Sequence, residues 1–259
     1  AGGDGAGEPV AYPPEGATWN LSHLLCGSEG TLGIILEATV ILVPLAGATA
    51  LCVVHFDDLI TSLRPVPRML AFEPSALELL DESIITESRR NASARQYADF
   101  FEGEPRAVQV VEFSADTAAQ AAQRAERFAA AMREEGIGYA QVVRREPGQI
   151  ANVWELRRLG VGLQSNVRGR SKPLDFVDDA CVPVEKLAEY IERLQAVCTQ
   201  HGVPMPVCCH ASVGVLHPKP MLDLHKQEDR RKMQAIAEAA FEMVLEYGGS
   251  WAGEHGDGL

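Results

Sequence analysis

The run His210-Ala211-Ser212-Val213-Gly214-Val215-Leu216-His217 sets two imidazoles seven residues apart, and Gly253-Glu254-His255-Gly256-Asp257-Gly258 adds a carboxylate and a further imidazole downstream. Two imidazoles and a carboxylate are the usual open ligand set for a divalent catalytic metal, with positions left for water or substrate. On one straight strand the two histidines would face opposite sides, so a turn or bulge at Gly214 is needed to bring them together. Imidazole is also a common hydrogen-bonded structural group, so spacing alone leaves both readings open.

Two further clusters have residue types suited to chemistry. Cys26-Gly27-Ser28-Glu29-Gly30-Thr31-Leu32-Gly33-Ile34-Ile35 is a Gly-rich turn leading into a β-branched run. Its glycines let backbone approach a bound group and its N–H groups would suit a pyrophosphate; a tight turn between core strands has the same composition. In Trp154-Glu155-Leu156-Arg157-Arg158, with Lys172-Pro173 downstream, Arg157 can present a planar fork to a carboxylate and Lys172 a point charge. The plainer reading pairs Arg157 and Arg158 with Glu155 or Glu146 on a solvated helix. Asp178-Asp179 has no third ligand close in sequence and reads as a strand end or a turn before Pro183. The mixed-sign run 226–232 reads as a solvated helix start.

The elements that position these groups follow from composition and periodicity. The 259 residues carry 23 Lys+Arg against 36 Asp+Glu, a net charge of −13, which excludes a dominant nucleic-acid surface and disfavours anionic membranes. At 46% hydrophobic and 23% charged, the composition is that of a globular protein with one large or two smaller domains. No leader sequence is visible at 1–7, and the uncharged window 38–54 holds Pro44 and Gly47, so it reads as two strands around a turn and not as a transmembrane segment. The six cysteines are scattered without C-x-x-C spacing, which excludes an iron–sulfur or Cys-rich zinc site within this segment and fits reduced thiols in the cytoplasm.

Residues 1–18 read as a mobile loop. Strands are expected at 38–43, 51–56, 107–113, 139–144 and 174–181, with an extended segment at 207–216. Helices are expected at 75–90, at 116–135 with Ser114 or Asp116 as cap and Gly136 as stop, from Pro147 to 163, from Pro183 to 202, and at 228–247. This rhythm implies an α+β or α/β sheet with helices on one face.

The spelling adds more than the spacing. G-S-E-G-T-L-G-I-I followed by E-A-T-V-I-L-V-P resembles the end of the FAD-binding domain of the vanillyl-alcohol-oxidase type flavoproteins. That resemblance implies FAD contacts at Gly27, Ser28, Gly30, Thr31, Gly33 and Ile34. H-A-S-V-G-V-L-H-P, then L-D-L, a helix, and G-G-S-W-A-G-E-H-G-D-G-L resembles the C-terminal substrate domain of FAD-linked 2-hydroxyacid dehydrogenases, the group holding D-lactate, D-2-hydroxyglutarate and glycolate dehydrogenases. It implies His210, His217 and Glu254 as ligands of a divalent metal, with zinc expected, and His255 as the base beside the flavin. W-x-x-R with a Lys before the next strand implies Arg157 and Lys172 on the substrate carboxylate.

Most relatives spell H-x-G-D-G-N-x-H, whereas Ser212-Val213-Gly214-Val215 fills the centre here, which resembles the branch fused to a downstream iron–sulfur half. The resemblance therefore implies an α+β, ferredoxin-like substrate domain at 47–259, preceded at 19–46 by the last part of the FAD domain, in a piece of a longer polypeptide. The expected reaction is oxidation of a small anionic D-2-hydroxyacid. A D-lactate or glycolate dehydrogenase without an iron–sulfur half is the rival within enzymes, and a non-catalytic assembly module the rival outside them. The electron acceptor and oligomeric state, a homo-oligomer included, stay open; the expected location is the cytoplasm, extending to the inner-membrane periphery through electron-transfer partners.

Overall fold

The computed structural model describes residues 22–25, 28 and 30–256, in two compact units, Ala1–Leu42 with His255–Leu259 and Val43–Glu254. The expected loop at 1–18, Gly27 and residues 257–259 lie outside the described residues. The first unit contains the single helical turn α1 (Ser22–Leu25). The strand expected at 38–43 does not form: residues 33–46 join no ladder, and Ile34, Leu36, Val40 and Ile41 are exposed. A β-branched run becomes a strand only when a partner satisfies its backbone, and the described residues supply none.

The second unit runs β1 (Ala48–Phe56), α2 (Leu59–Leu63), α3 (Val66–Leu70), β2 (Ala76–Asp81), α4 (Glu82–Arg90), β3 (Ala107–Ala115), α5 (Ala118–Glu134) and β4 (Ala140–Arg144). It continues through α6 (Pro147–Ser165), β5 (Lys172–Pro173), β6 (Ala180–Cys181), α7 (Leu187–Gln200), β7 (Val207–His210), β8 (Val215–Pro218), β9 (Met221–Leu222) and α8 (Gln227–Glu246). Seven strands pair antiparallel in the order β4-β1-β3-β2-β7-β8-β6, and β5 pairs with β9 separately. The first four strands, with α2 and α3 before β2 and α5 before β4, make a ferredoxin-like half, so the α+β class is as expected.

Strand alternation divides the core between the sheet's two faces. Ala50, Cys52, Val54 and Phe56 of β1 pack with residues of α5, α7 and α8, whereas Leu51 and Val53 pack with Ile84 of α4 and Val153 and Leu156 of α6. Helices thus cover both faces, not one as expected, because β1, β2 and β3 are apolar on both sides. For the same reason the expected helix at 75–90 divides. Leu77, Leu79 and Leu80 are buried in a strand between β3 and β7, and the helix begins only at Glu82.

Asp81 makes that break. Its carboxylate accepts hydrogen bonds from Ser83 N (3.1 Å), Ser83 Oγ (2.5 Å), Ile84 N (3.2 Å) and Gln164 Nε2 (3.4 Å) at Oδ1, and from Val207 N (2.8 Å) at Oδ2. It therefore caps α4, receives α6 and fixes the start of β7 in one buried contact. Burial pushes its carboxyl above the usual range, with the hydrogen bonds from Ser83, Val207 and Ile84 opposing. Elsewhere Thr117 caps α5 through a capping box with Gln120, in place of Ser114 or Asp116, and Gly136 ends it at φ +69°. The strand expected at 174–181 shrinks to β6, because Asp179 takes the left-handed conformation at φ +70°.

Two outcomes follow for stability and reactivity. Asp81→Ala leaves the buried Ile84 and Val207 N–H groups and the half-buried Ser83 N–H unpaired and is expected to cost about 3 kcal/mol or more in urea unfolding, with Asp81→Asn intermediate. Cys52, Cys198, Cys208 and Cys209 are buried free thiols, and burial pushes the Cys52 thiol up to about 12 and those of Cys198 and Cys208 up to about 11. These four cysteines should resist a thiol reagent at pH 8 in the folded chain and react on denaturation, as read by peptide mass spectrometry.

Candidate functional site

Residues 207–216 form a hairpin and not a single extended run. β7 and β8 are joined by a turn at 211–214, and the register sets His210 opposite Val215 and Cys208 opposite His217. Gly214 sits in that turn at φ +72°, where a Cβ would lie 2.0 Å from the Val182 carbonyl oxygen. The reversal turns the odd spacing of the histidines into a shared face. Their rings meet at 5.1 Å between centroids and 88° between planes.

Glu254 is delivered by a second device. Ser250 bridges to Cys181 through reciprocal backbone bonds of 2.8 Å, which carries the following residues along β6. The Asp179 carboxylate then accepts from Gly253 N (2.8 Å) and from Glu254 N (2.9 Å). Gly253 fits closely here: a Cβ would lie 3.0 Å from Val215 Cγ2 and 3.1 Å from Asp179 O. Asp179 holds this contact at a positive φ, a strained conformation for a residue with a side chain. As a result Glu254 Oε1 lies 3.1 Å from His210 Nε2 and 3.2 Å from His217 Nε2.

Each imidazole is oriented from behind. His210 Nδ1 donates to Glu78 Oε1 (2.7 Å), its cross-strand partner on β2, and Glu78 Oε2 accepts from Arg157 Nε (3.0 Å) and pairs with its Nη2 at 2.9 Å. His217 Nδ1 donates to Asp178 Oδ1 (2.9 Å). A carboxylate on Nδ1–H fixes the ring and aims Nε2 forward, which is the arrangement found behind metal-binding histidines. The Glu78 carboxylate bonded to His210 raises that imidazole's pKa, against the effect of burial. Two aimed nitrogens and a carboxylate oxygen are donors of the type a divalent cation takes. One ligand atom each from Asp179, His217 and Glu254 lies within 4.8 Å of the other two, a group that His210 adjoins through Glu254 Oε1.

The other expected residues fall as follows. Arg157 reaches the cluster, but its fork is engaged by Glu78 and its side chain is only 14% exposed; Arg158 alone follows the plainer reading, pairing with Glu155 at 2.6 Å. Trp154, one turn earlier on α6, donates to Glu112 Oε2 (3.0 Å) on β3, so Trp154 and Arg157 dock α6 across two neighbouring strands. Lys172 is exposed on β5 and donates to the Val167 carbonyl oxygen. In the other unit, Thr31 N and Oγ1 both donate to Ser28 O, Gly30 takes φ +80°, and Gly30, Thr31, Gly33 and Ile34 are exposed. His255 is likewise exposed.

Sequence reasoning overlooked Glu78, because one acid among apolar residues in Ala76-Leu77-Glu78-Leu79-Leu80 gives no signal until β2 lies beside β7. Asp178-Asp179 reads from the sequence as a strand end or a turn before Pro183. The missing partners are His217, 39 residues on, and the Glu254 backbone, 75 residues on. Gly214→Ala is expected to distort the hairpin, cost about 1–3 kcal/mol, and lower divalent-metal affinity at least about tenfold, measured by chelator competition.

The chain is similar to curated D-2-hydroxyglutarate dehydrogenases from Pseudomonas putida, 29% identical over 253 residues, and Escherichia coli, 30% identical over 258 residues. These alignments cover 95% and 96% of this chain but only 25% of each relative, so the chain spans about a quarter of their length. Among solved structures, an alkyldihydroxyacetonephosphate synthase matches with a TM-score of 0.57 at 17% identity, over 91% of this chain and 45% of that one, a likeness of fold. The family model described as FAD linked oxidases, C-terminal domain, matches residues 46–259, and the chain belongs to that family.

Proposed function

We propose that this chain is the substrate-binding part of an FAD-dependent dehydrogenase that oxidises a D-2-hydroxyacid, such as D-2-hydroxyglutarate or D-lactate, to the 2-oxoacid. The observation that carries this reading is the convergence of His210 Nε2 and His217 Nε2 on Glu254 Oε1, in a family member similar to D-2-hydroxyglutarate dehydrogenases. His210, His217 and Glu254 would hold a divalent cation, with zinc suited to nitrogen and oxygen donors of this kind. Such an ion, when bound, supplies positive charge that lowers the pKa of the substrate hydroxyl. FAD, when bound, would supply the hydride acceptor for the substrate carbon.

The chain's own residues then have separate tasks. Gly27, Ser28, Gly30, Thr31, Gly33 and Ile34 are assigned to the flavin. The exposure of Gly30, Thr31, Gly33 and Ile34, and the open space where Gly30 and Gly33 lack a Cβ, support contact with a large group. His255 is assigned the substrate hydroxyl proton, received on an imidazole nitrogen. Arg157, already oriented by Glu78, gives the site a cationic edge for the substrate carboxylate, and Lys172 serves as the outer cation. These local charges work against a net charge of −13 for the chain.

The test is a screen of D-2-hydroxyglutarate, D-lactate and glycolate against the full-length protein with an artificial electron acceptor. Turnover with one of these acids, lost on chelation and restored by Zn²⁺, is expected; a full-length, flavin-loaded protein inert towards all three overturns the reading. His210→Ala should lose the metal. His255→Ala should keep it and lose about 10²-fold or more in kcat, whereas unchanged turnover would remove His255 from the role of base.

A further inference from the structure

Lys219 is a buried cation that the proposed reaction does not use. It follows His217-Pro218 at the end of β8, and its side chain is only 6% exposed. Its backbone N donates to Pro206 O (2.8 Å), which fixes where the stem starts. The ammonium donates to Asp175 Oδ1 and lies 3.8 Å from Asp178 Oδ2. These two acids differ in environment. The Asp175 side chain is 65% exposed, so its pairing is screened by water, whereas that of Asp178 is 12% exposed and meets the ammonium where screening is weak. A desolvated ammonium persists only beside compensating charge, so burial of Lys219 and the placement of Asp178 depend on each other.

Asp178 passes this constraint on. One of its oxygens faces Lys219 and the other accepts the His217 Nδ1–H at 2.9 Å. The same order of groups stands behind the other histidine: Arg157 on α6, Glu78 on β2 and His210 on β7 repeat cation, carboxylate and imidazole. In both lines the cation is more than four-fifths buried and reaches the ring only through a carboxylate. Two lines with one chemical order and no shared residue identify what Lys219 does in its own.

We infer that Lys219 is a positioning residue for His217: by holding Asp178 it locks the imidazole with Nδ1–H directed backward and Nε2 directed towards Glu254. The inference rests on the proposed reading of His217 as a metal ligand. Lys219 touches neither substrate nor metal in this role, so its removal should weaken metal binding without removing a ligand. Arginine, which keeps the charge and can reach both acids, should restore it.

The experiment uses the full-length protein with Co²⁺ as the probe, reading affinity by chelator competition and ligand geometry by visible absorption. Lys219→Met should weaken Co²⁺ binding about 10–100-fold and alter its spectrum, and Lys219→Arg should return both towards the unmutated values. Asp175→Asn, which removes only the exposed partner, should leave both nearly unchanged. Lys219→Gln carries the same test should the methionine variant not fold. Unaltered affinity and spectrum in the charge-free variants overturn the inference.

A second readout is independent of the metal. The hydrogen-bonded His217 Nδ1 proton should give a slowly exchanging downfield NMR signal that is lost in Lys219→Met and kept in Lys219→Arg. An unmutated protein that binds no Co²⁺ refutes the metal reading, and this signal then decides the positioning role. Its survival in the charge-free variants overturns the inference, and its selective loss upholds it.

Discussion

The Glu78 carboxylate is the contact through which most of this site is assembled. It sits on β2, the strand that joins the ferredoxin-like half to the β7–β8 hairpin, and binds His210 across that junction and Arg157 from α6 above it. Sheet register, helix docking and imidazole orientation therefore meet at two oxygen atoms. At 11% side-chain exposure, the carboxylate is too dry to stand unpaired, so the pairing of β2 with β7 is set electrostatically as well as by the ladder.

The surroundings extend the same logic. Glu78, Asp178, Asp179 and Glu254 gather on one part of an already acidic chain, and their mutual repulsion is relieved by buried cations and backbone N–H donors. Each acid has a different duty: Glu78 and Asp178 set the two rings, Asp179 sets the Glu254 backbone, and Glu254 faces both Nε2 atoms. The strained φ of Asp179 is tolerated because three donor contacts to its carboxylate, from Gly253 N and Glu254 N, hold it there.

Rigidity behind the site comes from close packing at its supports. Gly160 lets α6 come down on α4, since a Cβ there would meet Ile84 Cδ1 at 3.1 Å, and Asp81 ties α4, α6 and β7 together below. Arg157 thus rides on a helix fixed at several points along its length, which suits a group whose angle matters more than its reach.

The sequence by itself determined the two histidines, the demand for a turn at Gly214, the return of Glu254, and most of the strands and helices, since these depend on local spelling and on periods of two and 3.6 residues. It also determined the family, through runs whose residue order is far more specific than their spacing. Two of its errors share an origin. The 75–90 segment divides into strand and helix and 38–43 forms no strand, because pairing partners distant in sequence decide what a short apolar run becomes, whereas 174–181 is cut short by the left-handed conformation of Asp179. Only the tertiary structure chose Glu78, Asp178 and Lys219 from among many surface-like charges. Their significance lies in what faces them across the sheet, and burial by distant segments is what turns an ordinary acid or base into a group that must be paired.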